Sequence, residues 1–349
     1  KKNGIDNVIL EASSHGLKQY RLHGIKFRTA IFSNFSRDHL DYHKTYKDYL
    51  DSKLILFKEL LIKNALAIYD HDINEAKILS KIASKKKLIK CLIGQKNEDF
   101  RICSEKVVSG KTEITFAYKK KQYFFKTLLI GSVQIKNLMM AIIAANKSGL
   151  KLDKIINSIK NIKPVNGRLE QIGNIYNNSK VILDYAHTPD ALETCLKNVK
   201  QHFKSENISV VFGCGGERDK QKRKLMGKIA NRLCKKIYIT DDNPRNENPR
   251  IIRNQIKKEI NKKKIIEIPS RKLAIEKSIK ALKSGELLVI AGRGHENYQQ
   301  YKNKIRFSDR MHINLNIKLK NKSLSKNWKI NIIKDKIPNY KISNNLKIK

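Results

Sequence analysis

The 349-residue sequence lacks several features that would each define a class of protein. No run approaches the ~20 apolar residues needed to span a bilayer. The first residues contain neither an initiator Met nor an apolar signal core, so we expect no export. The five cysteines are odd in number, widely spaced and without a CxxC pair, which favours free thiols over a zinc site or a disulfide framework. We therefore expect a cytoplasmic protein.

The formal net charge of +42 is large enough to suggest binding to nucleic acid or to an anionic membrane. The excess, however, is lysine scattered along the whole chain beside frequent Ile and Asn, residues that all have A/T-rich codons. A dedicated nucleic-acid module would concentrate its basic residues on one face, with aromatic side chains or arginines between them. We expect neither a specific nucleic-acid partner nor a membrane.

Hydrophobic patterns divide the sequence near residue 164 into two α/β domains. Residues 1–163 contain short apolar strands at Val8–Leu10 and Thr29–Phe32, then further strands and an alternating, antiparallel pattern from 100 to 129. Residues 164–313 contain four short hydrophobic runs separated by helix-length segments, which is typical of a mostly parallel sheet with helical crossovers. Residues 314–349 are rich in Lys and Asn without clear period, and we expect a weakly ordered tail.

The most informative motif of the second domain is Asp242-Asn243-Pro244-Arg245, which directly follows a predicted strand. An arginine offers a planar fork to a carboxylate, and an aspartate accepts from an ammonium group, so the turn could grip a zwitterion. An ordinary Asn-Pro turn is the alternative.

Two glycine-rich turns follow other strands of the same domain, at residues 213–219 and 291–296. Because the carboxyl ends of parallel strands share one edge of a sheet, Arg218, Gly292 and Glu296 should converge with the motif at 242–245. Such a group could bind an amino acid with more than one charged end. A structural cluster of salt bridges is the alternative.

In the first domain, Glu11 and His39 end or closely follow predicted strands, and Lys53 lies on a predicted helix. Carboxylate and imidazole groups can ligate a divalent cation, but a lysine ammonium cannot. A carbamate formed on Lys53 would turn the three residues into a plausible magnesium site. The residues alone do not call for that modification, and an exposed helix lysine is the alternative.

These motifs, taken together and in order, resemble the diaminopimelate-adding members of the Mur ligase family. The resemblance covers about residues 8–312 and rests on the segments 11–17, 32–43, 184–192, 213–219, 242–245 and 291–296. It implies an α/β protein with a central ATPase domain, incomplete at its N-terminus, followed by a Rossmann-like C-terminal domain with a mostly parallel sheet.

The resemblance also implies an activity. Members of this branch use ATP and Mg²⁺ to join meso-2,6-diaminopimelate to UDP-N-acetylmuramoyl-L-alanyl-D-glutamate through an acyl phosphate. That reaction belongs to peptidoglycan precursor synthesis, and hence to cell-wall biogenesis, cell shape and division. Magnesium fits because negative charge must be neutralised during phosphoryl transfer.

Roles for individual residues follow from the resemblance alone. It implies metal ligation and catalysis by Glu11, His39 and carbamylated Lys53, and contact with the nucleotide-linked peptide by Ser13, Gln19 and Arg21. It assigns nucleotide binding to Asn137, Arg168, Asp184 and His187. The residues implied for diaminopimelate are Arg218, Asp242, Asn243, Pro244, Arg245, Gly292 and Glu296.

The sequence departs from the family pattern in two places. The uridine-nucleotide domain and the GTNGKTT phosphate loop, which wraps ATP phosphates, are not found. We therefore expect a monomeric fragment that is inactive alone, either truncated or partnered by a separately encoded N-terminal portion. At 131–137 the usual aromatic residue and asparagine after the glycine are replaced, although Asn137 is kept.

Two alternatives stay open. A ligase of the same family that adds L-lysine would need no partner for Arg245, whereas diaminopimelate has a second carboxylate to pair with it. A non-catalytic basic binding protein on this scaffold would account for the charge and for the missing phosphate loop, but not for the candidate acceptor and metal residues.

Overall fold

The computed structural model describes residue 4 and residues 7–94 and 99–334, with the backbone alone at 41 and 326–334. The helices are α1 (Ser14–Lys18), α2 (Leu40–His43), α3 (Tyr46–Ile55), α4 (Ala76–Lys85), α5 (Ser132–Lys147), α6 (Leu152–Ile159), α7 (Pro189–Phe203), α8 (Gln221–Leu233), α9 (Pro249–Lys257), α10 (Arg271–Lys280) and α11 (Asp309–Lys334). The strands are β1 (Phe27–Phe32), β2 (Leu61–Asp70), β3 (Ile89–Gly94), β4 (Phe100–Val108), β5 (Lys111–Tyr118), β6 (Lys121–Thr127), β7 (Glu170–Gln171), β8 (Lys180–Leu183), β9 (Ile208–Phe212), β10 (Lys236–Ile239), β11 (Ile265–Glu267), β12 (Leu287–Ile290), β13 (Tyr298–Gln300) and β14 (Lys304–Arg306). A π-helical turn (Leu56–Leu60) and a 3₁₀ turn (Lys262–Lys264) complete the elements.

The first sheet has the strand order β1-β2-β3-β4-β5-β6. Its first four strands run parallel and its last three antiparallel, as the alternating pattern at 100–129 predicts. Alternate residues of the antiparallel strands, including Phe100, Ile114 and Phe116, are buried in one core with apolar residues of α5. We call residues 7–94 and 99–159, which are built around this sheet, the first unit.

The second sheet has the order β11-β10-β9-β12-β8-β7, and every neighbouring pair except β7-β8 is parallel. Apolar residues of α7, α8 and α9 cover one face and those of α10 and α11 cover the other. Strands buried on both faces read as continuous hydrophobic runs, which is why the sequence predicts this mostly parallel sheet. We call residues 167–334 the second unit.

Two crossover helices begin at residues whose chemistry favours a helix start. Thr188 accepts a hydrogen bond from the Ala191 amide (3.3 Å) ahead of Pro189, and Asn248 accepts from the Arg250 amide (2.9 Å) ahead of Pro249. The N-cap oxygen satisfies a free amide, and proline at the first helical position has no amide to satisfy. These caps fix where α7 and α9 leave the sheet edge.

The strand expected at Val8–Leu10 is wrong, because residues 7–10 belong to no strand and Ile9 is fully exposed. A short apolar run becomes a strand only when a neighbour accepts its main-chain hydrogen bonds, and among the described residues β1 is paired with β2 alone. The segment after Glu11 begins α1, with Ser13 as its N-cap.

The weakly ordered tail expected from residue 314 is also wrong as far as Lys334, because α11 continues to that residue. Ile313 and Ile317 are buried against the second sheet, with Leu324 packed at the edge of the same core. Lys320 lies on this stripe and donates to the main-chain oxygens of Lys280 and Leu282 at the end of α10 (2.9 and 2.8 Å). A lysine on the apolar stripe conceals the helical period in the sequence. No helix in the described part of the chain is long and apolar enough to cross a bilayer.

A buried ion pair fastens α11 to the second sheet. The Arg271 guanidinium donates to both carboxylate oxygens of Asp309 (2.8 and 2.6 Å) and to the Ala291 carbonyl (2.9 Å). Both side chains are fully buried. Burial is compensated only while both partners are present.

We expect Asp309→Ala to destabilise the protein by about 3–5 kcal/mol, because the Arg271 charge would stay buried without its partner. The matched control is Lys224→Ala, which breaks the exposed pair of Lys224 with Glu259 and should cost about 0–1 kcal/mol. Denaturant unfolding followed by circular dichroism measures both. Equal losses in the two variants would contradict this account of the buried pair.

Candidate active site

A cleft of about 1020 Å³ lies between the two units. Its walls are the loop after β1, the start of α5, and the loops after β8, β9, β10 and β12. The loops after parallel strands meet at one edge of a sheet, and ligands of open α/β sheets bind there. The cleft is therefore the candidate active site.

Most of the residues singled out from the sequence line this cleft. They are Glu11, His39, Asn137, Arg168, Asp184, His187, Arg218, Asp242, Asn243, Arg245, Gly292 and Glu296. Ser13, Gln19, Arg21, Lys53 and Pro244 are not among the lining residues. The convergence of the loops expected from the sheet order is present, and the roles of the residues stay predictions.

The Asn243 side chain organises the loops after β10 and β12. Its amide nitrogen donates to Glu296 Oε2 (3.0 Å), and its oxygen accepts from Arg293 Nη1 (2.7 Å) and from the Gln300 amide (2.8 Å). Arg293 is fully buried and also lies 3.4 Å from Glu296 Oε2. The Glu296 carboxylate is thus held by one hydrogen bond and one ion pair at the wall of the cleft.

The Asp242 carboxylate occupies space that only a glycine at position 292 leaves open. Gly292 has φ = 110°, and a Cβ there would come within 2.8 Å of Asp242 Oδ2. Arg271 Nη1 lies 4.0 Å from the same oxygen and has no hydrogen-bond partner among the described residues. Glycine is therefore required at 292 by both backbone conformation and space.

The Arg245 guanidinium is anchored to main-chain oxygens rather than to carboxylates. Its Nη1 donates to the Gly216 carbonyl (2.6 Å) and lies 3.5 Å from the Asn243 carbonyl. Arg245 itself is left-handed (φ = 54°), and its amide donates to the Gln300 carbonyl (3.0 Å). Strained backbone of this kind clusters at functional sites. Here it positions the Arg245 guanidinium, which contacts two neutral carbonyl groups.

The glycine-rich turn after β9 packs against the 242–245 loop. A Cβ on Gly216 would meet the Pro244 carbonyl oxygen at 1.9 Å, and the Gly216 amide donates to the Asn243 carbonyl (2.9 Å). Beneath the turn, fully buried Arg223 forms a bidentate pair with Glu247 (2.9 Å to each oxygen) and donates to the Gly215 carbonyl (3.0 Å). Arg218 from the same turn lines the cleft.

Asp184 and His187 are oriented by the main chain at the other side of the cleft. The Asp184 carboxylate accepts from the amides of Leu169 (2.7 Å) and Ala186 (2.8 Å), and burial raises its pKa. His187 Nδ1 lies 3.0 Å from the Tyr185 carbonyl, a contact in which Nδ1 must donate. The Nε2 atom then faces Asp38 of the first unit and lies 3.6 Å from its Oδ2.

Arg168 lies with its guanidinium 4.2 Å from the centre of the Tyr185 ring, which stacks on His295. The preceding residue, Gly167, packs so closely on Gly294 that a Cβ would meet its carbonyl carbon at 2.5 Å. The flat surface of Arg168, Tyr185 and His295 is therefore tied to the loop after β12.

The first-unit side of the cleft is centred on residues 37–39. His39 is left-handed (φ = 55°), and its amide donates to the Asp38 carboxylate (2.8 Å). Burial raises the pKa of Asp38, but the hydrogen bond and charge of His187 outweigh it and hold the pKa at about 2. A carboxylate that stays ionised thus faces both histidines.

Lys53 lies on α3 behind this loop, with its ammonium 5.2 Å from the centre of the Tyr49 ring. Burial lowers the pKa of Lys53, against the opposing charges of Asp38 and Glu11. No three His, Cys, Asp or Glu side chains of the described residues are grouped to hold a metal ion. Glu11 and His39 would need a further ligand to hold a metal ion, and Lys53 lies close enough to Glu11 for their charges to interact.

Three residues that the resemblance assigns to the nucleotide-linked peptide have local structural partners. Ser13 Oγ accepts from the Gly16 amide (3.1 Å), and Gln19 Nε2 donates to the Tyr42 hydroxyl (3.0 Å). Arg21 is exposed in the turn after α1. The structure does not bring these three into the cleft.

Sequence reasoning missed Arg293, Arg223, Asp38 and Arg37 as residues of the site. Arg293 and Asp38 stand inside motifs that the sequence does single out, so their position was a usable signal. Arg223 gives no such signal, because a buried arginine on a helix cannot be told from an exposed one by sequence in this basic chain.

We expect Glu247→Gln to lower stability at pH 7 and the difference from the parent to shrink as the pH falls. The hydrogen bond from Arg223 lowers the pKa of Glu247 from 4.5 to about 2, so its stabilisation is present above pH 4.5 and is lost towards pH 2. Urea unfolding from pH 7 to pH 2 measures the difference. The control is Glu276→Gln on the exposed side of α10, and a difference for Glu247→Gln that is independent of pH would refute the prediction.

Comparison with known proteins assigns both units to one family. The "Mur ligase middle domain" matches residues 1–145, and the "Mur ligase, glutamate ligase domain" matches residues 167–294. The chain is 45% identical over 312 residues to a UDP-N-acetylmuramoyl-L-alanyl-D-glutamate--2,6-diaminopimelate ligase of Rickettsia bellii, covering 88% of this chain and 64% of that protein. For the Rickettsia montanensis protein of the same name, identity is 44% over 301 residues, covering 85% and 61%.

Solved structures agree. A UDP-N-acetylmuramoyl-L-alanyl-D-glutamate--2,6-diaminopimelate ligase superposes with a TM-score of 0.62 at 32% identity, over 91% of this chain and 66% of that one. The MurF ligase of Thermotoga maritima in complex with ADP, at 16% identity and a TM-score of 0.65 over 90% and 66%, shares the fold. The chain spans less than two thirds of the length of these curated relatives. The chain belongs to the Mur ligase family.

Proposed function

We propose that the chain forms the larger part of an ATP-dependent ligase that joins meso-diaminopimelate to UDP-N-acetylmuramoyl-L-alanyl-D-glutamate in peptidoglycan precursor synthesis. The names of the curated relatives supply the substrates. The observation that carries the proposal is the cleft in which first-unit residues 37–39 face the second-unit loops of Arg245 and Glu296. In this proposal, residues 1–163 act on ATP and residues 164–313 bind the amino acid, in a cytoplasmic monomer.

The reaction has two steps in this proposal. The glutamyl carboxylate of the peptide attacks the terminal phosphorus of ATP, which gives an acyl phosphate and ADP. The amine of diaminopimelate then attacks the acyl carbon, and inorganic phosphate leaves as the amide forms. Both steps build negative charge, and positively charged groups fixed in advance at that position stabilise it.

The first-unit wall would serve the phosphoryl transfer. Carboxylate, imidazole and carbamate donors suit Mg²⁺, so Glu11, His39 and a carbamate on Lys53 would hold it. Bound magnesium would neutralise phosphoryl oxygens and orient the reacting groups. The lowered pKa of Lys53 supports the carbamate, because only a neutral amine attacks carbon dioxide. The Asp38 carboxylate would keep His39 and His187 oriented.

The second-unit wall would select the amine. The Glu296 and Asp242 carboxylates would accept from an ammonium group, and Arg245 and Arg218 would pair with carboxylates. Arg245 is decisive, because its present partners are neutral carbonyls and the second carboxylate of diaminopimelate would complete it. Lysine lacks that carboxylate and would leave the charge unpaired in a partly buried site.

The sequence contains no glycine-rich loop of the type that wraps ATP phosphates. Together with the greater length of the curated relatives, this supports our proposal that activity needs a further segment carrying that loop. Adding a separately produced N-terminal portion should then convert an inactive chain into an active ligase.

We expect a carbamate on Lys53 to be detectable without turnover. Carbon-13 NMR of the chain equilibrated with ¹³C-bicarbonate should show a carbamate signal that is lost in Lys53→Met, because burial lowers the pKa of this amine and so favours its neutral form. Lys58→Met is the control, since Lys58 forms an ion pair with Asp51 (3.2 Å). A spectrum without a carbamate signal in the parent protein would rule the modification out.

We expect Arg245→Met to raise KM for diaminopimelate at least about tenfold in the completed enzyme, because one charge-assisted pair of about 1.5–3 kcal/mol is lost. KM for ATP should stay within about twofold. The control is Arg250→Met, an exposed arginine at the start of α9. Steady-state phosphate release with diaminopimelate and with L-lysine measures these effects. Faster turnover of the parent with lysine than with diaminopimelate would contradict the assignment. An equal rise in KM for diaminopimelate and for ATP in Arg245→Met would contradict it as well.

A further inference from the structure

One arginine of the first unit is bound by three residues of the second. Arg37 Nε and Nη2 donate to Asp219 Oδ2 (3.2 and 3.0 Å), and Nη2 also donates to Gln221 Oε1 (3.1 Å). The Arg37 main-chain amide donates to Asp190 Oδ2 (3.1 Å). Neither the sequence motifs nor the proposed reaction assigns a role to this contact.

The contact joins two loops that the proposed reaction must bring together. Arg37 precedes Asp38 and His39 directly, and Asp219 follows Arg218 directly. The side chains of Arg37 and Asp219 are both partly buried, at 27% and 22% exposure. A guanidinium that donates to a carboxylate and to an amide oxygen through a planar fork fixes orientation as well as distance.

We propose that the Arg37–Asp219 pair is a latch that holds the two units closed. The latch positions the 37–39 loop against the loop at 213–219, which carries Arg218 and Asp219. The latch itself follows from the contact alone, whereas its effect on the reaction rests on the proposed function. Arg37 is a positioning residue, since it acts through the neighbours it holds.

Other contacts between the units differ in kind from this pair. Gly131 at the start of α5 packs on Asn198 of α7, so closely that a Cβ would lie 2.6 Å from its side chain. A second ion pair between the units in the described part of the chain, Asp38 with His187, is longer at 3.6 Å. The described residues thus join the units by close packing at Gly131 and by the polar contacts of Arg37, which are shorter than the Asp38–His187 contact.

Asp190 and Asp219 are themselves well placed to hold Arg37. Asp190 lies in the first turn of α7, where the helix dipole favours a carboxylate, and Asp219 Oδ1 accepts from the Gln221 amide (2.9 Å) at the start of α8. Both acceptors are therefore fixed to helix ends. A lysine at 37 would keep the main-chain bond to Asp190, but its single ammonium group lacks the planar fork that reaches Asp219 and Gln221 together.

The latch is tested by distance measurements on the 349-residue chain. Spin labels are placed by Lys85→Cys on α4 and Lys277→Cys on α10, two exposed helix positions, with Cys103→Ser to remove the exposed cysteine. Pulsed electron paramagnetic resonance then measures the distribution of distances between the two labels, and hence between the units. The variants are Arg37→Met, which keeps the apolar stem, Asp219→Asn, and the two together.

We expect each single change to broaden the distribution and shift it, and the double change to do no more than either one, because both remove the same interaction. The control is Arg232→Met, which breaks a pair with Glu193 (2.9 Å) within the second unit and should leave the distribution unchanged. An unchanged distribution in Arg37→Met, or additive effects of the two changes, would overturn the latch.

The consequence for the reaction is tested separately on the completed enzyme. Arg37→Met should raise KM for diaminopimelate and lower kcat, each at least about fivefold, with KM for ATP within about twofold; fivefold corresponds to about 1 kcal/mol. Normal kinetics with a broadened distance distribution would overturn the positioning role. If the parent does not use diaminopimelate, the proposed function fails while the distance result still decides the latch.

Discussion

Three fully buried arginines determine the shape of the cleft wall in the second unit. Each of them donates to one of the cleft loops: Arg223 to the Gly215 carbonyl, Arg271 to the Ala291 carbonyl, and Arg293 to the side-chain oxygen of Asn243. Arg223 and Arg271 are also paired with the carboxylates of Glu247 and Asp309. A buried charge is costly in free energy unless its partners surround it. Movement of a loop away from its arginine would leave that buried charge without a partner. The loops after β9, β10 and β12 are therefore fixed before any ligand arrives, which is the condition for selective binding of a charged molecule.

The opposite wall is constructed in another way. Glu11 is exposed, His39 has a left-handed backbone, and the 37–39 loop is braced mainly by contacts with the second unit. A wall of this kind depends on closure, whereas the second-unit wall does not. The difference suits the proposed reaction, in which the acyl phosphate and the amine need to be in position together only when the cleft is closed.

The sequence predicts the second sheet well because its information is local. Short buried runs, Asn-Pro and glycine-rich turns specify strands and strand ends within a few residues, so the loops at 213–219, 242–245 and 291–296 could be placed together without coordinates. It fails where the outcome depends on distant partners. Whether Val8–Leu10 pairs depends on a neighbouring strand, and Arg37 meets Asp219 across 182 residues of chain. Burial of particular arginines is likewise a tertiary property in a chain with lysine and arginine everywhere.

The close approach of Gly167 to Gly294 sets where the chain can bend. Gly167 is fixed at both sides, since its amide donates to Glu170 (2.7 Å) and its Cα rests against the loop after β12. Rotation of one unit relative to the other would then be absorbed before this residue, in the short stretch 160–166 that belongs to no helix or strand. Pro164 stiffens that stretch, which confines the motion to a few torsion angles and gives it a preferred direction. A connection that is this short and stiff transmits small movements of the first sheet directly to the surface formed by Arg168 and Tyr185.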